Sequence, residues 1–315
     1  MCKTHVMNQG LLLGLGVICL LGYLVYQHFN GYDILLKEGL YKVDGCDKNF
    51  MNYGYWKDSS TTTLQSASKK LVKKLISKNK DALKNASKIL DIGCGRGKQD
   101  IILTNHTSGN IVGIDIDPAN ISTCIELAKK HKMQDQLSFI TGDACELPFD
   151  DNSFDVVLSL ESAFHYPSRE KFIREVKRVL KPGGKFMLGD ILINKKSNIV
   201  YCMQKYICSY LNVVNICDKD INTLETTLED NGFRYDIKDI TKHTFVPFYN
   251  NFISNYNHNV AYSILTTVGI NFLLYAQKYT NMFSYVIVSC DIPMLDLDKK
   301  NPDKKESLSK IEELV

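Results

Sequence analysis

The feature that most constrains this chain is ILDIGCGRG, residues 89–97: an apolar run that ends in an acid and then in three alternating glycines. An apolar run of that length, stopped by glycine, reads as a buried strand. Glycine lets the backbone turn sharply and lets a ligand approach it closely. A ligand held there sits at the strand's carboxyl end, beside a helix N-terminus. The spacing narrows the ligand. A dinucleotide site uses G-x-G-x-x-G, whose third glycine packs the helix on the strand. Here position 98 is lysine and the third glycine, Gly97, comes one residue early. A phosphate loop ending in GK[ST] is absent at the required spacing. Asp91 places negative charge at the loop, which suits a ligand carrying an amino group and a positive centre better than a pyrophosphate.

After this loop, strand and helix patterns alternate. KILDIG (88–93), NIVGIDID (110–117), LSFITGDA (137–144), FDVVLSL (154–160) and KFMLGDILI (185–193) read as five buried strands. Between them, Asp117-Pro118 supplies an N-cap and first-turn proline, and Ser168 caps a helix with Ile173, Val176, Val179 and Leu180 inward. Lys181-Pro182-Gly183-Gly184 is expected to stop that helix. Such alternation predicts an α/β chain with a mostly parallel sheet and helices on both faces. INTLETTLEDNGF and RYDIKDI add a helix and a strand, and FSYVIVSCDI (283–292) a closing strand.

Three acids end three successive strands: Asp91, Asp115 and Asp143. Any one of them is as readily a loop-capping residue, but three in register are harder to dismiss. Asp115 follows Gly93 by 22 residues, a place where a carboxylate accepts ribose hydroxyls in nucleotide folds. An acid at Asp143 can accept from an adenine amino group.

ILDIGCGRG, GIDID, TGDACELPFDDNSFDVV and FIREVKRVLKPGG stand in the order and spacing of class I S-adenosylmethionine (SAM)-dependent methyltransferases. The chain resembles the small-molecule branch that includes sugar O-, tocopherol and sterol methyltransferases, well over residues 50–193 and loosely over 220–241 and 283–292. The resemblance implies a Rossmann-like, seven-stranded sheet and SAM as cofactor. It implies that Asp91, Gly93 and Gly95 meet the amino acid part of SAM, Asp115 and Ile116 the ribose, Asp143 and Ala144 the adenine, and that Leu160 lines the methyl donor. NYGYW (52–56) is similar to that branch's N-terminal lid, so Tyr53 and Trp56 are expected over the sulfonium, where an aromatic face attracts a cation.

ESAFHY (161–166) follows the fourth strand at the substrate edge. His165 and Asp190 stand where sugar O-methylating relatives carry a candidate base and an acid that orients it. Methyl transfer is an in-line displacement driven largely by alignment, so a base is not obligatory. Glu161 is the residue expected to balance a cationic intermediate in N- or C-methylation. Two stretches, 196–218 and 242–282, are rich in Tyr, Phe and Asn and read as helical cap insertions. Aromatic residues such as Tyr206, Tyr210, Phe248 and Tyr249 would wall an apolar acceptor pocket or form the core of the cap.

From Gly10 to Tyr26 the chain reads GLLLGLGVICLLGYLVY, 17 residues without charge, at the short end for a membrane-spanning helix. No small-x-small cleavage site closes it, which favours an uncleaved anchor. The expected domains are therefore an anchor (1–30), a connector and lid (31–60), a methyltransferase domain with cap insertions (61–293) and a polar tail (294–315). The expected location is a membrane, the endoplasmic reticulum being one candidate, with the catalytic domain in the cytosol where SAM is made. The expected partners are a small-molecule or lipid acceptor and the membrane. A net charge of +3 without a basic block argues against nucleic acid. Ten cysteines form no C-x-x-C pair, and His5, His243 and His258 are isolated, so no metal site is expected. Two rival readings stay open: a nicotinamide-dependent oxidoreductase, and a non-catalytic, membrane-tethered module that binds SAM.

Overall fold

The computed structural model describes residues 50–57, 63–194, 220–255 and 282–293. The proposed anchor, the stretch 196–218, most of 256–282 and the tail lie outside them. Among the described residues no helix is long and apolar enough to cross a membrane.

Seven strands form one sheet: β1 (Lys88–Ile92), β2 (Asn110–Asp115), β3 (Leu137–Thr141), β4 (Phe154–Leu160), β5 (Leu180–Ile193), β6 (Arg234–Asp239) and β7 (Phe283–Asp291). Their spatial order is β3-β2-β1-β4-β5-β7-β6. β1 to β5 run parallel, and β7 runs antiparallel to both of its neighbours. β1 is buried at every position but Lys88, as expected of a central strand covered on both faces. The chain starts in the middle, steps outward to β2 and β3, then crosses back to β4. That reversal opens a crevice beyond the carboxyl ends of β1 and β4, where open α/β sheets bind ligands.

Helices fill both faces. α1 (Leu64–Ile76) begins at Thr63, whose hydroxyl accepts from the Ser66 amide at 3.2 Å. It buries Leu64, Ala67, Leu71, Val72, Leu75 and Ile76. With the short α2 (Lys80–Asn85) and α3 (Lys98–Leu103) and the longer α4 (Pro118–His131), it covers one face, whose core includes Ile89, Leu158, Met187 and Ile287. α5 (Arg169–Val179) and α6 (Ile221–Asp230) cover the other, over Leu90, Val157, Leu188 and Val288. The expected caps are in place: Asp117 accepts from the Ala119 amide and Ser168 from the Lys171 amide.

One boundary differs from expectation. α5 ends at Val179, and β5 starts at Leu180 rather than Lys185. Leu180 already pairs with Phe154, and the register then shifts before Val156 meets Lys185. The strand absorbs the Pro-Gly-Gly segment as an irregularity instead of a separate turn. Of the second expected insertion, residues 242–255 are described; they form part of a short 3₁₀ turn (Thr241–His243) and α7 (Phe245–Asn255).

Candidate active site at the carboxyl edge of the sheet

The three loop glycines do three different things. All have positive φ, at 71° for Gly93, 55° for Gly95 and 75° for Gly97, a region other residues rarely adopt. A Cβ on Gly93 would fall 2.4 Å from Ser162 Cβ and 2.6 Å from the Tyr166 hydroxyl, and one on Gly97 3.0 Å from Cys124 Sγ. Gly93 therefore packs the loop on the segment after β4, and Gly97 packs α3's start on α4. Gly95 alone faces open space, with Met51 Sδ its nearest neighbour at 3.6 Å, so ligand approach belongs to Gly95. The loop is tied to β2 by the Gly93 and Cys94 amides, which donate to the Ile114 carbonyl.

Asp91 ends β1 fully buried. Its Oδ2 accepts from Gln99 Nε2, while Oδ1 has no hydrogen-bond partner. Burial raises its carboxyl to about 7; the nearby Asp100 and Gln99 side chains oppose the rise and the Asp115 charge adds to it. Asp100, equally buried, is pushed well up by burial and by Asp91. An orphaned carboxylate oxygen in a dry site costs free energy unless a donor or cation arrives, and an ammonium group fits that need.

Asp115 closes β2. Its Oδ2 accepts from the Gly95 amide at 2.9 Å, and Oδ1 from the Asp117 amide and from Asn120. Oδ1 already accepts two bonds, so the second lone pair of Oδ2 is the one that a ligand hydroxyl can join. Ile116 beside it is 70% exposed. Asp143 lies just past β3, with Oδ1 on the Cys145 amide at 2.8 Å, and Ala144 is buried. Leu160, at the end of β4, is also buried and fills the space over Gly189. The expected donor-side residues thus gather at the ends of β1, β2, β3 and β4, adjacent strands in the sheet.

The acceptor side carries contacts that the sequence did not announce. Asp190 is buried in an ion pair with Arg169, whose Nη2 lies 2.6 Å from Oδ2, and its Oδ1 also accepts from the Ile191 amide. It ties β5 to α5, with Oδ2 held by the Arg169 guanidinium. His165 sits in a 3₁₀ turn (Ala163–His165), its ring tilted against Phe164 with centroids 4.2 Å apart. Its side chain keeps solvent access, and desolvation by the surrounding protein pushes the imidazole down to about 4, so it is neutral at physiological pH.

Glu161 is the more unusual residue. It follows β4 with φ 53° and is buried. Both carboxylate oxygens accept from the Tyr53 amide, at 2.9 and 3.1 Å, and Oε1 also accepts from the Tyr285 hydroxyl at 2.8 Å. Burial raises its carboxyl to about 8 against the pull of those donors, with the Asp190 charge adding to the rise.

The lid segment sits on this carboxyl. The Tyr53 ring packs edge-on against Phe245, Phe248 and Tyr249. Trp56 packs with Leu64, Ala67 and Phe248, and its Nε1 donates to the Tyr53 carbonyl at 2.8 Å. Of the two expected lid aromatics, Tyr53 meets Glu161, whereas Trp56 is committed to the packing that supports it. The Tyr55 amide donates to the Ala67 carbonyl and the Trp56 amide to the His243 carbonyl. Sequence reasoning missed Gln99, Asp100, Arg169 and Tyr285. Only Gln99 and Asp100 carried a signal, being polar residues in the first turn after the glycine loop.

Comparison with known proteins agrees with this geometry. Residues 90–188 match the family model described as "Methyltransferase domain". The 27-O-demethylrifamycin SV methyltransferase of Amycolatopsis mediterranei is 38% identical over 143 residues, 45% of this chain and 52% of the relative. The sterol 24-C-methyltransferase of Gibberella zeae is 38% identical over 111 residues, 35% of this chain and 29% of the relative. The matched segment spans about half the length of the first curated relatives. A putative sarcosine dimethylglycine methyltransferase from Galdieria sulphuraria superposes with a TM-score of 0.65 at 18% identity, covering 77% of this chain and 93% of that one; at that identity the likeness concerns the fold alone. The strand order, the loop and the family match converge: residues 90–188 match a methyltransferase domain, set on a seven-stranded sheet of the Rossmann-like methyltransferase fold.

Proposed function

We propose that this protein transfers a methyl group from SAM to a small, hydrophobic or lipid-like acceptor. The observation that carries the reading is the placement of Asp91, Asp115 and Asp143 at the ends of β1, β2 and β3 around an open Gly95. Asp91 and Gly95 would hold the amino acid part of SAM, Asp115 and Ile116 the ribose, and Asp143 and Ala144 the adenine. SAM supplies a methyl carbon on a positive sulfonium: the acceptor atom bonds that carbon as the carbon–sulfur bond breaks, leaving a neutral thioether.

What the chain contributes on the acceptor side is alignment and charge. Glu161 among Tyr53, Tyr249 and Tyr285 supports an acceptor that gains positive charge during transfer, an amine or an alkene, because a buried carboxylate and aromatic faces both favour a cation. His165, neutral above about pH 4, remains the candidate base for a hydroxyl acceptor. The two readings separate by pH profile. Charge balance by Glu161 gives a rate that rises as pH passes about 8 and a Glu161→Gln enzyme without that limb; base catalysis by His165 leaves the limb intact in Glu161→Gln and collapses the rate in His165→Ala. Incubation with labelled SAM and fractionated lipids and metabolites identifies the acceptor, and the absence of labelled product from every fraction would count against catalysis. The apolar run 10–26 would tether the domain to a membrane and present it to a lipid-like acceptor; membrane fractionation of the full chain against a chain lacking residues 1–30 tests that.

A further inference from the structure

The geometry points to Tyr285 as a positioning residue for the donor site: through Glu161 it holds the lid segment 52–56 on the carboxyl edge of the sheet. Tyr285 is the third residue of β7 and is fully buried. A phenylalanine would fill the same core, yet this side chain ends in a hydroxyl that donates to Glu161 Oε1. Glu161 in turn holds a left-handed backbone conformation, which a side-chain-bearing residue keeps only where its surroundings over-determine it. Two restraints do so here. Its own amide donates to the Gly189 carbonyl at 2.8 Å, and its carboxylate receives the Tyr53 amide and the Tyr285 hydroxyl.

The groups facing that carboxylate are the Tyr53 amide from the lid, the Tyr285 hydroxyl from β7, Tyr249 from α7 and the Asp190 carboxylate from β5. Asp190 repels it. Tyr285 supplies a donor from the sheet itself and so fixes the carboxylate on the side where the lid amide reaches it. Removing that hydroxyl leaves the carboxylate held by the lid alone and pushed by Asp190. The backbone of Glu161 then has reason to relax from its left-handed state, and the Tyr53 amide loses its acceptor. The Tyr285 hydroxyl reaches the lid amide through the Glu161 carboxylate, which makes it a positioning residue.

The consequence for the donor rests on the methyltransferase reading, whereas the latch itself does not. The test uses the full chain without cofactor. Hydrogen–deuterium exchange of the peptide spanning residues 52–56, and acrylamide quenching of Trp56, the chain's single tryptophan, are compared in wild type, Tyr285→Phe and Glu161→Ala. Loss of one such hydrogen bond predicts about five- to tenfold faster lid exchange in both variants and stronger Trp56 quenching, with β4 and β5 peptides unchanged. Wild-type lid exchange in both variants overturns the proposal. So does equal acceleration of lid and sheet, which marks general loosening. S-adenosylhomocysteine affinity is then measured on the same samples. A drop of similar size in both variants supports the donor-site role, and an unchanged affinity overturns it. If wild type binds no S-adenosylhomocysteine while the exchange pattern holds, the methyltransferase reading falls with the donor-site role, and the exchange data identify that failure separately.

Discussion

A carboxyl group buried at the end of a strand is costly to ionise, and Glu161 and Asp190 meet that cost in different ways. Asp190 has a cation, Arg169, at 2.6 Å. Removing the guanidinium leaves a buried charge alone, so Arg169→Met is expected to lower unfolding free energy by about 3–5 kcal/mol, and a double variant with Asp190→Leu to recover most of it; denaturant titration reads both. Glu161 has only neutral donors, and its carboxyl is raised to about 8 from the usual carboxylate range. The folded state then binds a proton that the unfolded state has released, so between about pH 4.5 and 8 stability falls as pH rises. Thermal melts of wild type and Glu161→Gln should therefore separate progressively over that window, the variant gaining relative to wild type at the alkaline end. A gap independent of pH would contradict the buried, proton-holding carboxyl. At this scale the sequence was legible on the donor side, because Asp91, Asp115 and Asp143 each mark a strand end. It was nearly silent about Arg169 and Tyr285. An arginine opening a helix and a tyrosine inside a strand look ordinary until the fold brings each to a carboxylate from another segment.

The lid shows how an element depends on one small residue. Gly54 has φ 74°, and a Cβ there would lie 2.5 Å from Ala67 Cβ on α1. Gly54→Ala is expected to lift the 52–56 segment from α1 and raise Trp56 solvent accessibility, with the sheet's far-ultraviolet signal retained; an unchanged Trp56 emission maximum would contradict this packing. The elements themselves were mostly visible beforehand. β4 is where FDVVLSL was read, and α1, α4 and α5 follow their apolar spacing and caps because each buries one face. The start of β5 was not visible. Lys181-Pro182-Gly183-Gly184 carries the local chemistry of a turn, and only pairing of Leu180 with Phe154 draws that segment into the strand. The aromatic stretch after β6 also gave composition without geometry: nothing in FVPFYNN shows that Phe245 and Phe248 would pack on Tyr53 from nearly two hundred residues away.

At the level of the whole molecule, function follows from topology. β1 and β4 are neighbours although β2 and β3 intervene in sequence, and the crevice at their ends collects the glycine loop, the three acids and Glu161. The parallel order could be anticipated from strand–helix alternation, and β7 lies where the closing strand was read, although its antiparallel direction was not legible. The central claim is that this crevice is a SAM site. Equilibrium dialysis with labelled SAM, comparing the full chain with Asp115→Ala, tests it most directly. The account predicts saturable binding by the wild type and at least about tenfold weaker binding by the variant, since a hydroxyl acceptor and the Gly95 anchor are lost together. Folded wild-type protein that shows no saturable binding, or an Asp115→Ala variant that binds SAM as the wild type does, would contradict it.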